Sequence, residues 1–235
     1  MMSNIISFDE VFSQALKLPG IRIDRKEFLE SNFSREFDPD IVNKIVETSP
    51  ILVGVDSRIL NKIARECISY EKFKVSAISA GSGVGGVGTI VPDLCQYIVH
   101  VIRIAQKLAY VYGWPELISV DGNLDDETKS ILLLFIGRMY GVHKTNMAIQ
   151  TISAALTKEV VKRLSKAALT KTVAYPLIKE VGKTVGITIT KKIAAEAAGK
   201  AVPIFACVIS GGLTYYNFGK GATKLQESLS KAINK

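Results

Sequence analysis

Apolar positions recur along most of this chain at the three- and four-residue spacing of amphipathic α-helices. The pattern predicts a short helix over Phe8 to Leu18, a helix of modest apolarity over Arg22 to Glu36, and a third from Pro39 to about Glu47. A further helix is expected after Asp56, which stands at its N-cap position. The apolar face of that helix is formed by Ile59, Leu60, Ile63, Ala64 and Cys67.

The longest apolar stretch, Val75 to Ile102, contains a single charged residue, Asp93, and is divided by Pro92. Its first part holds five glycines, and each glycine would cost roughly 1 kcal/mol relative to alanine in a helix exposed to water. We therefore expect this part to be helical only where close packing or lipid compensates. Gly81 and Gly85 have the four-residue spacing that lets two helices approach closely.

The second part of this stretch predicts the clearest helix of the chain, from Leu94 to Tyr112, ended by Gly113 and Trp114-Pro115. One of its faces is apolar and the other is polar. The polar face carries Gln96, His100, Arg103 and Lys107. Asp93 is expected to cap this helix, and pairing with a buried cation such as Arg103 is the alternative.

The second half of the chain begins with Asp125 to Glu127, which place acidic side chains at the start of another helix. Residues 145 to 200 predict two or three long Lys-rich helices. Residues 201 to 219 carry no charge and are long enough to span a bilayer, but Pro203, Gly211, Gly212 and Asn217 make them a weak spanning candidate. Residues 220 to 235 predict a polar amphipathic helix.

No stretch alternates between apolar and polar residues with period two, so we predict an all-α fold. The expectation is a single compact helical domain, with the glycine-containing segments 75–102 and 201–219 as its core or as a membrane hairpin. Residues 51–55 and 184–190 have the composition of strands and are the main alternative. We divide the chain into an N-terminal helical extension, 1–50, and a helical domain, 51–235.

Charge is distributed unevenly along the 235 residues, whose formal net charge is +8 and mean hydropathy +0.23. Residues 158–200 hold ten Lys and Arg against three Glu, whereas residues 1–157 sum to −2. This basic half predicts an anionic partner, and lipid headgroups suit it because the chain is also apolar. A solvated Lys-rich helix face is the alternative.

The glycine-rich segment matches a dinucleotide-binding pattern only in part. Residues 81 to 86 read GSGVGG, but an apparent helix precedes them, Pro92 follows, and positions 100 to 110 lack the acid that would bind the ribose. His100 and His143 are the only histidines, and a metal site at His100, which has only Gln96 at suitable spacing, would need a second cluster that the sequence lacks. No G-x-S-x-G nucleophile motif occurs. The sequence therefore predicts no catalytic, cofactor-binding or metal-binding residue and a non-enzymatic protein.

Cysteine usage and the first residues bear on location. Cys67, Cys95 and Cys207 are odd in number and far apart, which is typical of a reducing compartment. Asp9 and Glu10 interrupt the first apolar stretch, so we predict no signal peptide. We expect the protein in the cytoplasm, at the inner face of the cell membrane.

Two separate groups of residues carry a family resemblance. The first is the glycine-rich stretch followed by Pro92-Asp93-Leu94, Arg103 and Ala109-Tyr110-Val111-Tyr112-Gly113. The second is Lys200-Ala201-Val202-Pro203-Ile204 followed by Gly211-Gly212 and Tyr216-Asn217-Phe218. In their order and spacing these groups resemble the EcsC family over roughly residues 57 to 230, although Ala206 departs from the glycine expected there. The resemblance implies a bacterial helical protein with a membrane-proximal accessory role and supplies no catalytic residue.

These observations predict a non-enzymatic, membrane-associated helical protein that is accessory to a membrane or transport process. Its expected partner is anionic membrane lipid or a membrane protein complex. A triggered membrane-perturbing effector and a soluble helical partner-binding module are the alternatives. The residues expected to contact membrane or a partner are Gly81, Gly85, Asp93, Arg103, Lys158, Lys162, Lys166, Pro203, Gly211 and Gly212.

Other partner classes fit less well. Nucleic-acid binding is not predicted, because the only aromatic residue within the Lys-rich stretch is Tyr175. No small-molecule substrate is evident, and no cofactor is predicted. Assembly into a homo-oligomer stays open.

Overall fold

The computed structural model describes residues 8–82, 90–120, 124–157, 181 and 211–233. These residues form an all-α fold without strands, as predicted. The helices are α1 (Phe8–Ala15), α2 (Arg25–Phe33), α3 (Pro39–Glu47), α4 (Ser57–Ser82), α5 (Ile90–Val111), α6 (Asp126–Met139), α7 (His143–Thr157) and α8 (Gly211–Ile233). Residues 51–54 form a turn, so their strand-like composition does not produce a strand. The other strand-like run, 184–190, lies outside the described residues.

Local sequence signals set most helix starts. Asp24 precedes α2 and its carboxylate accepts a hydrogen bond from the backbone N–H of Glu27 at 3.0 Å. Asp125 caps α6 in the same way, through the N–H of Thr128 at 2.6 Å. Asp38 occupies the N-cap of α3 without a side-chain hydrogen bond. These positions confirm the predicted starts of α3 and α6 and move the start of α2 from residue 22 to residue 25.

Helices α4 and α5 form an antiparallel hairpin. Near its base, the hydroxyl of Tyr112 donates to Asn61 Oδ1 at 2.6 Å, and further along Glu71 of α4 meets His100 of α5. Helix α5 ends before Gly113, which has a φ of +85°. A Cβ atom there would lie 2.8 Å from Ile51 Cγ1, so both the turn and the packing require glycine.

The described start of α5 corrects the prediction for Asp93. Helix α5 already begins at Ile90, so Asp93 lies in its first turn and not at its N-cap. Pro92 is tolerated there because the first N–H groups of a helix have no acceptor within it. Preference for acid near a helix N-terminus holds throughout the first turn, so the sequence alone left the starting residue open.

The core is built around α5, which packs against α1, α2, α4, α6 and α8. Helix α8 also packs against α4, α6 and α7. Trp114, which follows α5, is buried between α6 and α7: its ring meets the ring of Phe135 edge-on with 5.0 Å between centroids, and its Nε1 donates to Ser153 Oγ at 3.1 Å. Parts of both glycine-containing segments contribute to this core, including Val75, Ile98 and Phe218.

Residues before position 50 share this core. Phe12, Leu29 and Ile45 belong to the same hydrophobic cluster as the helices after residue 57. Arg25 fastens three segments together, since its guanidinium donates to the carbonyl oxygens of Trp114, Val46 and Thr48 at 3.1, 2.7 and 3.0 Å. The division at residue 50 stays a prediction.

Within the Lys-rich residues 158–200, the structure describes Val181. Val181 is buried against α6, where a Cβ atom added to Gly137 would lie 2.6 Å from Val181 Cγ2 and 3.1 Å from Thr145 Cγ2. Gly137 therefore provides the space that Val181 fills. Among the described helices, none is both long and apolar enough to cross a bilayer.

Candidate functional site

Two large aromatic side chains are exposed on the outer face of α4. Tyr70 is 56% exposed and Phe73 is 69% exposed, and their three-residue spacing places them on one face of the helix. Lys74 adds a cation, with its Nζ 4.6 Å from the centroid of the Tyr70 ring. We call Tyr70, Phe73 and Lys74 the aromatic–lysine stripe. Neighbouring exposed apolar side chains of this kind mark a candidate contact surface.

Directly behind this stripe, α4 buries a carboxylate. Glu71 is 0% exposed, and its Oε1 accepts from His100 Nδ1 at 2.6 Å while its Oε2 accepts from Lys107 Nζ at 2.6 Å. Arg103 Nε lies 3.5 Å from Glu71 Oε1. We call Glu71, His100, Arg103 and Lys107 the Glu71 cluster.

The cluster holds its carboxylate ionised. Burial by itself raises the pKa of Glu71, but the hydrogen bond from His100 and the charge and hydrogen bond of Lys107 outweigh it and lower the pKa to about 2. Lys107 Nζ also lies 5.6 Å from the centroid of the Tyr70 ring. The cluster therefore joins the buried interface of α4 and α5 to the exposed stripe.

The cluster corrects the predicted polar face of α5. Gln96 is exposed, but His100 and Lys107 are buried against α4. They can be buried because Glu71 supplies a compensating charge. Sequence reasoning missed Glu71, although a signal existed: it falls four residues after Cys67, on the apolar face of its helix.

Arg103 and Gln106 connect α5 to the N-terminal segment. Arg103 donates from its guanidinium to the carbonyl oxygen of Gly20. Gln106 is fully buried, donates to the carbonyl oxygen of Ile21 at 2.7 Å and accepts from the N–H of Ile23 at 3.2 Å. The structure thus gives Arg103 a partner in Gly20 and another in the buried Glu71.

The remaining candidate contact residues fall into two groups. Gly81 lies in the last turn of α4, and Gly211 and Gly212 open α8. None of the described contacts links Gly81, Gly211 or Gly212 to the aromatic–lysine stripe. Outside the described residues lie Gly85, Lys158, Lys162, Lys166 and Pro203.

The described part of the chain contains no group of three or more His, Cys, Asp or Glu residues arranged to hold a metal ion. Burial raises the pKa of Cys67 to about 12, so this thiol stays protonated at neutral pH. Glu71 is ionised and already hydrogen-bonded, and it therefore serves to neutralise its neighbours.

An open groove of about 1040 Å³ lies elsewhere, between α3 and the first turn of α4. Its lining is mostly apolar and includes Phe37, Ile41, Leu52 and Ile59. Its polar lining residues are Lys44, Thr48 and Asp56. Asp56 is paired with Arg58 at 2.8 Å.

Comparison with known protein families gave no matching family. Comparisons with curated proteins and with solved structures likewise gave no similar protein. The resemblance to the EcsC family therefore stays a prediction from the residues that carry it.

Proposed function

We propose that this chain is a non-enzymatic peripheral membrane protein that docks on anionic lipid at the cytoplasmic face through the aromatic–lysine stripe. The observation that carries the proposal is the exposure of Phe73 and Tyr70 beside Lys74 on one face of α4. Aromatic rings lie favourably at the boundary between headgroups and acyl chains. A Lys near an anionic surface contributes on the order of 1 kcal/mol of attraction.

Position along the chain also supports this docking mode. The stripe directly precedes the apolar stretch that begins at Val75, so basic and apolar residues adjoin in the sequence. Lys72, which lies between the aromatic positions in sequence, packs against Gly219 of α8 and is not part of the stripe. This arrangement of apolar and basic groups is typical of helices that lie in the membrane interface.

The biological role is proposed from the resemblance. An EcsC-like protein held at the inner face of a bacterial membrane would act as an accessory to a membrane or transport process. The soluble partner-binding alternative uses the stripe, or the groove beside α3, for another protein and predicts no affinity for lipid.

Vesicle sedimentation tests the proposal. The purified chain is mixed with phosphatidylcholine vesicles that contain or lack phosphatidylglycerol, and the bound fraction is measured at low and high salt. We expect binding that needs the anionic lipid and weakens with salt. Absence of binding to anionic vesicles would overturn the proposal and favour the soluble module.

Two variants locate the docking surface. Phe73→Ser removes the exposed ring and Lys74→Glu reverses the charge beside it, and both should reduce vesicle binding without lowering stability by more than about 1 kcal/mol. Val120→Ser is the matched control, because Val120 is 80% exposed but follows the base of the α4–α5 hairpin, away from the stripe. Equal binding by all three variants would place the lipid contact elsewhere.

A further inference from the structure

The exposed outer face of α4 extends well beyond the aromatic–lysine stripe. Its exposed residues follow one another at three- and four-residue spacing and are Lys62, Arg65, Ser69, Phe73 and Ala77. The buried face of the same helix packs against α5 and α8. At a rise of about 1.5 Å per residue, the exposed face is roughly 22 Å long, so it offers a much larger contact surface than the stripe alone.

This face carries charge at the end remote from the stripe. Arg65 is an exposed cation that lies eight residues, or about 12 Å, before Phe73 along the helix. Lys62 contributes less, because its Nζ lies 2.6 Å from Glu36 Oε1 and that carboxylate offsets its charge. Glu66 is an exposed anion beside Arg65. The two exposed neighbours therefore respond in opposite ways to an anionic surface laid against this face.

Two arrangements bring the stripe into contact with a bilayer. In a tip-first arrangement the α4–α5 hairpin touches lipid where α4 ends at Ser82 and α5 begins at Ile90, and in a side-on arrangement it touches lipid along α4. Arg65 lies about 26 Å from Ser82 along the helix axis. Because the Debye length is about 10 Å at 0.1 M ionic strength, only the side-on arrangement lets an anionic surface act on Arg65.

The exposed side chains favour the side-on arrangement. Phe73 is 69% exposed although it lies about 13 Å before Ser82 along the helix, so its ring is on the side of the hairpin. Helices that carry apolar and basic groups on one exposed face lie in the plane of the membrane interface. The face that contains Arg65 and Phe73 has this character.

We infer that the protein docks side-on, with the outer face of α4 from Arg65 to Ala77 lying along the surface of an anionic phospholipid bilayer. This inference rests on the proposed function and adds the extent and orientation of its contact surface. The guanidinium of Arg65 contacts headgroup phosphates, while the rings of Tyr70 and Phe73 lie at the boundary with the acyl chains.

Charge variants of α4 test the orientation by sedimentation with phosphatidylcholine vesicles that contain phosphatidylglycerol. Arg65→Glu should weaken binding by about tenfold, because an anion replaces a cation near the anionic surface. Glu66→Gln should strengthen binding by about threefold, because it removes a repelled charge. A folding defect does not produce tighter binding, so the second variant guards against misreading the first.

Lys129→Glu is the matched control. It makes the same change in net charge as Arg65→Glu, but on α6, which packs against α5, α7 and α8. It should alter binding by less than about twofold, because screening confines the effect of a charge to its surroundings.

The outcomes separate the two proposals. If the wild-type chain does not bind anionic vesicles, the proposed docking on lipid is wrong and the orientation is wrong with it. If the wild type binds and Phe73→Ser weakens binding, but Arg65→Glu behaves like Lys129→Glu, docking stands and the side-on orientation is wrong.

Site-directed fluorescence gives a second readout that does not depend on affinity. Ser69→Cys and Ala77→Cys, each in a chain whose Cys67, Cys95 and Cys207 are replaced by alanine, carry a nitrobenzoxadiazole dye on the outer face of α4. On binding to anionic vesicles, both dyes should brighten and shift their emission to shorter wavelength. A change at Ala77 without one at Ser69 would show tip-first contact and overturn the inference.

Discussion

At the scale of single residues, Glu71 is the residue on which the α4–α5 interface depends most. It is the acidic partner of His100 and Lys107 across the α4–α5 interface, and it has no exposed surface. A buried ion pair need not add net stability, but removal of one member leaves the other charge without compensation. The Glu71 cluster therefore makes the interface intolerant of change at this position.

Glu71→Gln tests this dependence. The amide keeps the shape of the side chain but removes the charge that compensates Lys107 and Arg103, so we expect a loss of about 3 kcal/mol in the free energy of unfolding. Urea denaturation measures it. Glu66→Gln, an exposed change on the same helix, is the control and should cost less than about 0.5 kcal/mol. Equal effects would show that the cluster does not stabilise the fold.

The same residue predicts an acid dependence. Since the pKa of Glu71 is about 2 in the folded chain and 4.5 as its ordinary value, the unfolded chain binds the proton first as pH falls. The stabilisation is complete above pH 4.5 and is lost as the pH approaches 2. Between pH 7 and pH 3, wild type should lose roughly 2 kcal/mol more than Glu71→Gln. Parallel pH profiles of the two proteins would contradict this.

At the scale of elements, glycines at two contacts allow neighbouring segments to approach α6 closely. Gly137 lets Val181 approach α6, and Gly221 lets α8 approach α6 so closely that an added Cβ would lie 3.1 Å from the carbonyl oxygen of Met139. Glycine weakens each helix on its own, by roughly 1 kcal/mol relative to alanine. Its presence in α6 and α8 is explained by packing between helices.

Gly137→Ala tests the contact at α6. The new methyl group clashes with Val181, and we expect a net loss of about 1 to 2 kcal/mol after the better helix propensity of alanine is counted. Chemical denaturation of Gly137→Ala, Val181→Ala and the double variant forms a cycle. The methyl group should cost less when Val181 is already alanine. A cost that is independent of position 181 would show that the clash lies elsewhere.

At the scale of the whole molecule, the N-terminal helices are integrated with the later ones. Arg22 pairs with Glu116 at 2.6 Å and with Asp24 at 2.8 Å, and Arg25 binds carbonyl oxygens on both sides of residue 50. With their shared hydrophobic cluster, these contacts predict that residues 8–47 unfold together with α4 and α5.

Arg25→Lys tests that integration. Lysine keeps the charge but cannot reach the carbonyl oxygens of Trp114, Val46 and Thr48 at once, so we expect a loss of about 2 kcal/mol. Lys26→Ala, at the exposed neighbouring position, should change stability little. Denaturation followed by Trp114 fluorescence and by circular dichroism should give one coincident transition for wild type. Two separate transitions would show that the N-terminal helices fold independently.

By itself the sequence determined the helical class, the start of α3 at Pro39, the start of α6 beside Asp125, and the end of α5 at Gly113. These follow from periodicity and from interactions within a few residues, which any stretch of chain carries with it. The prediction that the fold is not built from strands likewise needed only one observation, that no stretch alternates between apolar and polar residues with period two.

Only the tertiary structure decided which polar residues are buried and what covers α5. Glu71 lies 29 residues from His100 and 36 from Lys107, and Arg103 lies 83 residues from Gly20. A helical pattern distinguishes a polar face from an apolar one, but it does not show which charges meet across a helix pair. The stripe on α4 and the packing of α1 against α5 therefore emerged only from the tertiary structure, because burial depends on residues that are distant in sequence.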